Sequence, residues 1–262
     1  MFEQELQRYE ALRQEHKRVV GDTMNADDYK EYNEILFSTH SCGIEGNSFS
    51  VDDSRELKQL GLGMVVPQGK KLYECFEIAD HFNAYNFIVD NLQTPLTEAL
   101  VKETNRKVVE HTIAYHAPGA VAGEYTDSDM AAGDTMFGNH EILLAQMPKL
   151  LQTTEQAIVE ASAHPMIIAS RFHGYFEYLH PFRDGNGRTG RLLSNYILMR
   201  MGHPLLIIRK EERQEYINAL RMIRQEGTDE HLTSFFINAA IRHFSEDIAQ
   251  KKHNSRPVSF MF

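Results

Sequence analysis

Apolar residues recur at intervals of three and four along most of the chain, as in Leu6, Tyr9 and Leu12 and again in Tyr216, Leu220 and Ile223. That spacing gathers them on one face of a helix with about 3.6 residues per turn. Segments that alternate every second residue, the mark of a half-buried strand, are scarce. The pattern predicts helices over 3–20, 26–42, 52–60, 73–92, 96–115, 147–161, 163–178, 188–202, 209–225 and 229–247, and therefore an all-α fold. Turn residues punctuate it at Pro67-Gln68-Gly69, at Pro118-Gly119 and through the stretch from Gly119 to Gly138. The last stretch is long for a structureless connection, and Ala131-Ala132-Gly133-Asp134-Thr135-Met136-Phe137 has the makings of a short hairpin turning at Gly133-Asp134. The end of the chain, from Lys251, carries Pro257 and is expected to leave the body, with Phe260 and Phe262 either docking on a neighbour or hanging loose.

Composition narrows the function classes. A chain of 262 residues with 42% hydrophobic and 24% charged residues buries an ordinary core, so one globular domain with an N-terminal extension is expected. A net charge of −10 without long single-sign runs argues against nucleic acid as a partner, because backbone phosphates are held by clustered Lys and Arg. Cys42 and Cys75 are too few for a disulfide framework and lack zinc-ligand spacing, which fits reduced thiols in a cytoplasm. The charged, helix-patterned N-terminus is not that of a secretory signal, and no apolar run approaches the roughly eighteen residues of a membrane span. A soluble, cytoplasmic protein without a membrane partner is the expectation.

One segment concentrates chemistry: His180-Pro181-Phe182-Arg183-Asp184-Gly185-Asn186-Gly187-Arg188-Thr189-Gly190-Arg191, between two amphipathic helices. Gly185 and Gly187 free the backbone to aim N–H groups at one point, and the helix starting near Arg188 adds the positive end of its dipole, together an anion cradle. Arg188 and Arg191, three apart, project from one helix face and suit the distal phosphates of a nucleotide. Asp184 is the loop's only carboxylate and suits Mg²⁺ held against phosphate oxygens. His180 precedes the cradle, and an imidazole is well suited to accept a proton near neutral pH. Asp184-Gly185-Asn186 begins like a calcium loop, but Arg188, Thr189 and Asn195 then break its register, and no Lys-Ser or Lys-Thr completes a phosphate loop of the Walker type.

The run HPFRDGNGRTGR is similar to the signature of the Fic (Fido) family, HxFx(D/E)GNGRxxR, with every defined position filled. The resemblance implies a helical Fic core over about 94–248, N-terminal helices over 1–93 and a tail over 249–262. It implies AMP transfer from ATP to a Ser, Thr or Tyr hydroxyl of a target protein, with His180 as base and Asp184 on Mg²⁺ between the α- and β-phosphates. It assigns the Gly185-Asn186-Gly187 backbone to the anion hole, and Arg188 and Arg191 to the β- and γ-phosphates. The intact glycines and final arginine favour AMP transfer over the family's phosphotransferase branch. Family flaps, which hold a target by adding a strand, map to Ala131–Phe137; the leading Gly-x-Tyr-Arg run reads Gly123-Glu124-Tyr125-Thr126 here, without the arginine. Phe182 is expected to be a buried anchor and His173 a core residue, while His111, His116 and His140 show no ligand spacing.

Upstream, Ser41-Cys42-Gly43-Ile44-Glu45-Gly46-Asn47 resembles the family's inhibitory pattern (S/T)xxxE(G/N), in the class whose inhibitory helix precedes the core. The resemblance implies that Glu45 pairs with Arg191 and takes the space of the γ-phosphate. Two unit charges about 4 Å apart attract by about 4 kcal/mol at an effective dielectric near 20, before desolvation, so such a pair can suppress turnover. Two alternatives stand beside autoinhibited transfer: Glu45-dependent removal of AMP, and a non-catalytic helical interaction module. A self-paired assembly is compatible with the resemblance.

Overall fold

The computed structural model describes residues 2–61, 69–132, 135–137 and 139–254. It is all-α apart from one hairpin, with α1 (Glu3–Val19), α2 (Ala26–Ile44), α3 (Val51–Leu60), α4 (Leu72–Asp90), α5 (Glu98–Val108), α6 (Ile113–His116), strands β1 (Ala131–Ala132) and β2 (Thr135–Met136), then α7 (His140–Glu160), α8 (Pro165–Leu179), α9 (Asn186–Arg200), α10 (Arg213–Glu226) and α11 (Glu230–Asn254). Among the described residues no helix is long and apolar enough to cross a membrane.

The core is organised around α9, buried on nearly every side from Asn186 to Leu198. It packs along α8 and also touches α5, α4 and α2; α11 backs α8, and α1 lies along α11. The large buried side chains Phe172, Phe176, Phe182, Tyr196, Tyr216, Phe236 and Phe244 fill the space between these helices. A smaller cluster of Ile35, Cys42, Phe49, Leu57, Cys75, Ile78 and Phe82 ties α2, α3 and α4 together. Both cysteines are therefore buried and unpaired. This second cluster, with Arg213 Nε donating to Ile44 O at 2.7 Å, fixes the C-terminal end of α2 beside the start of α9.

Several helix boundaries differ from the periodic reading, three of them as follows. The helix expected over 96–115 breaks after Val108, because Asp80, buried on α4, accepts from His111 N at 2.8 Å and pairs with His111 Nδ1 at 2.6 Å. The helix expected to begin at 147 begins at His140, capped by Asn139, and runs through Pro148. Proline deprives the carbonyl four residues earlier of its donor; that residue, Leu144, is exposed, so water can supply the bond. The final helix continues to Asn254, so the first part of the expected tail is helical. Residues 255–262, with Phe260 and Phe262, lie outside the described residues, as does Pro67-Gln68.

Candidate active site

His180 ends α8 in the left-handed region, φ 48° and ψ 60°, its N–H donating to Phe176 O at 2.9 Å. The chain reverses there and Phe182 drops into the core, 1% exposed, against Tyr125 and Phe176. Asn186 clamps the loop: its Oδ1 accepts from Phe182 N at 2.9 Å and its Nδ2 donates to Phe182 O at 2.6 Å. Gly185 closes the turn at φ 77°, where a Cβ would sit 2.6 Å from Val109 Cγ1, so only glycine fits. α9 then starts, and the N–H groups of its first turn have no acceptor within the helix.

A second clamp comes from a residue the sequence reading did not single out. Asn105, buried on α5, donates from Nδ2 to Asp184 O at 2.9 Å and to Thr189 Oγ1 at 3.2 Å, while its Oδ1 accepts from Gly123 N at 3.1 Å. One amide thus joins the motif loop to the segment before the flap. That segment runs beside the loop, with Tyr125 bridged to Phe182 and Thr126 N donating to Pro181 O at 2.8 Å. A polar residue set beside the apolar stripe of Leu100, Val101 and Val108 was its only signal in the sequence.

The loop opens on a cavity of about 230 Å³ lined by Glu45, Glu77, His116, His180, Arg183, Asp184 and Arg188 together with Gly185, Asn186 and Gly187. Arg188 is buried, with Nη2 3.2 Å from Asp184 Oδ2 and Nη1 3.5 Å from Glu77 Oε1. Burial works against its charge, but the carboxylates of Asp184, Glu77 and Glu45 outweigh that and raise its pKa. Its Nε and Nη1 have no hydrogen-bond partner. Buried donors left open in this way mark a place for an anion. Glu77 is held by Asn47 Nδ2 at 2.8 Å and approached by His116 Nε2 at 3.3 Å, so His116, expected to be without a role, lines the site.

Arg191, one turn further along α9, has a partner on each of its three nitrogens, Nη1 reaching Tyr216 OH at 3.5 Å. It donates from Nε to Ser41 Oγ at 3.0 Å, and from Nη2 to Ser41 O and to Glu45 Oε1, both at 2.8 Å. Its guanidinium also lies 5.8 Å from the centre of the Tyr216 ring. Tyr216 OH in turn meets His173 Nε2 at 2.6 Å; His173 is fully buried, and burial lowers its pKa to about 4, so the ring is neutral. Gly187 matters here: a Cβ on it would collide with Glu45 Oε1. Glu45 closes α2, its side chain 40% exposed while that of Arg191 is 3% exposed.

A short hairpin precedes α7, and Phe137 at its end covers His180. Ala131 pairs with Met136 and Ala132 with Thr135, an antiparallel register centred on Gly133 and Asp134, which themselves lie outside the described residues. Phe137 N donates to Met130 O at 3.0 Å, and the Phe137 ring stacks on the His180 imidazole at 3.7 Å between centroids. His140, next along, bonds Thr126 O at 2.7 Å through Nδ1 and serves the flap's base.

A family model of the Fic/DOC family matches residues 95–198, the segment that holds the clamp, the flap and the motif loop. This chain carries a Fic/DOC domain. The protein adenylyltransferase Fic of Aedes aegypti is 28% identical over 228 residues, covering 85% of this chain and 43% of that protein. That of Drosophila virilis is 31% identical over 193 residues, covering 71% and 37%. The chain thus spans less than half the length of these curated relatives. Among solved structures, a Fic domain containing signaling protein from Bacteroides thetaiotaomicron matches with a TM-score of 0.79 at 22% identity, covering 97% of this chain and 100% of that one. Fic-1 from C. elegans matches at 0.78 and 24%, covering 97% and 73%. At such identities the two structures speak for the fold, and the Fic fold accounts for nearly the whole chain.

Proposed function

We propose that this Fic-domain chain is a protein adenylyltransferase that moves AMP from ATP to a Ser, Thr or Tyr hydroxyl of a target protein, and that Glu45 restrains it. The observation that carries this reading is the convergence on one cavity of an imidazole, a helix N-terminus with free N–H groups and a buried arginine with open donors. His180 takes the proton of the target hydroxyl, whose oxygen attacks the α-phosphorus of ATP; the bond to the bridging oxygen breaks and pyrophosphate leaves. The first turn of α9 receives the α-phosphate oxygens, and Arg188 the charge of the leaving group. Arg191 joins Arg188 on the distal phosphates only when Glu45 withdraws. Asp184, which lines the cavity together with the carboxylates of Glu45 and Glu77, would be the residue to hold a Mg²⁺, which would supply charge neutralisation to the phosphates. The hairpin over 131–137 offers a strand edge to the target. The buried, unpaired cysteines accord with a reducing cytoplasm.

The reaction type is tested with the Glu45→Gly chain, Mg²⁺ and ATP labelled at either the α- or the γ-phosphate. Label passing to protein from the α position alone is the expected result. Label passing from the γ position would replace the reading with phosphoryl transfer, and no label from either would remove it.

A further inference from the structure

A base that must take a proton through one ring nitrogen needs its other nitrogen fixed, since a neutral imidazole carries its hydrogen on one or the other. His180 has an arrangement that does this. Because His180 turns left-handed at the end of α8, its ring folds back over the last turn of the helix and Nδ1 comes to 3.7 Å from Oε2 of Glu177, three residues earlier. Nδ1 is buried with no hydrogen-bond partner, the Glu177 carboxylate being its nearest acidic neighbour, and Glu177 Oε1 is likewise buried and unpartnered. The side chain as a whole is 19% exposed, so its open share lies away from Nδ1, toward the cavity it lines.

The surroundings hold this orientation. Phe137 covers one ring face at an interplanar angle of 16°, and the Arg224 guanidinium lies 4.3 Å from the centre of the Phe137 ring on the way to Glu177 O, to which its Nη2 donates at 3.0 Å. Gly190 on α9 leaves room below: a Cβ there would approach both Glu177 Oε1 and His173 Nδ1 to 3.0 Å. Burial pushes the Glu177 carboxyl up, but the approach of His180 and the charge of Arg191 act against it and the net shift is downward, which keeps it ionised and an acceptor.

We propose that Glu177 is the positioning residue of His180: its carboxylate accepts from Nδ1–H, selecting the tautomer that leaves the Nε2 lone pair facing the target hydroxyl. The proposal rests on His180 acting as the base of the reaction above. As the 3.7 Å separation shortens toward hydrogen-bond length in the loaded site, the same contact stabilises the imidazolium formed when the proton arrives.

The test uses the full chain in two readouts. Long-range ¹H–¹⁵N spectroscopy of the imidazoles, with His180 assigned by the loss of its signals in His180→Ala, is expected to find the Nδ1–H tautomer in the unmodified chain and a mixture of both in Glu177→Ala. In the Glu45→Gly background, Glu177→Ala is expected to lower kcat by about 10- to 100-fold with the KM for ATP changed less than about twofold. Glu177→Gln, which preserves shape and an acceptor oxygen, is expected to retain the tautomer and to restore most of the rate, and it serves if the alanine variant folds poorly. An unchanged tautomer in Glu177→Ala, or a kcat within about twofold of its parent, would overturn the proposal. Should Glu45→Gly alone transfer no label, the adenylyl-transfer reading falls, while the tautomer comparison still decides the role of Glu177.

Discussion

Arg188 and Arg191 are one helical turn apart on α9, equally buried, and opposite in state. Arg188 keeps two donors without partners beside an open cavity, although carboxylates of Asp184 and Glu77 stand next to it. Arg191 has its donors taken by Ser41, Glu45 and Tyr216. The same residue type in the same helix is thus a receptor in one position and an occupied receptor in the other. What separates them is the end of α2, which reaches Arg191 but stops short of Arg188. Burial alone does not make a binding group; unspent hydrogen-bonding capacity does.

The sharpest way to test that contrast begins with the base the two arginines serve. His180→Ala is expected to lower label transfer by about 10²- to 10⁴-fold while leaving ATP affinity intact, as calorimetry would report. Equal loss of affinity would mean that His180 belongs to the nucleotide site instead. Next, Arg188→Ala is expected to weaken ATP binding in the unmodified chain by about 10- to 100-fold, the worth of hydrogen bonds to a charged ligand at about 1.5–3 kcal/mol. Arg191→Ala is expected to change that affinity little until Glu45 is also removed; equal effects from the two arginines in the unmodified chain would dissolve the distinction drawn between them. Asn105→Ala, which orphans Gly123 N and frees Asp184 O, should lower stability by about 1–3 kcal/mol in denaturant unfolding. A change within about 0.5 kcal/mol would show that Asn105 is not what joins loop and flap. The smallest effect is expected from Ser41→Ala, which removes one of the bonds holding Arg191 and should raise transfer by about two- to fivefold, close to 1 kcal/mol or less.

The motif loop was legible because its chemistry is contiguous: His180, Asp184, the glycines and both arginines fall within twelve positions, and the period of the flanking helices announced their burial. The all-α fold was legible for the same reason, since apolar spacing is a local property of each helix. What stayed hidden depends on partners far along the chain. Asp80 ends α5 from 31 residues away, and Asn105 grips a loop 79 residues on. Glu177 is an instructive middle case. A carboxylate between Phe176 and Leu179, three residues before a histidine, is visible in the sequence, but its meaning comes from the left-handed turn at His180, which no spacing rule foretells. The pairing of Glu45 with Arg191 was available only through resemblance, because 146 residues separate them; the coordinates give it a distance, 2.8 Å.

A partly exposed carboxylate such as Glu45 is screened by water, so its pair with Arg191 is worth less than the full Coulomb figure, about 1.5–3 kcal/mol as a charge-assisted bond. The most direct measurement is therefore the initial rate of α-phosphate label transfer at saturating ATP for the unmodified chain beside Glu45→Gly at matched protein concentration. A rate roughly 10- to 100-fold higher in Glu45→Gly is the result the account predicts. Rates that agree within about twofold would contradict it, leaving the 2.8 Å contact as packing between two helices rather than restraint of the site.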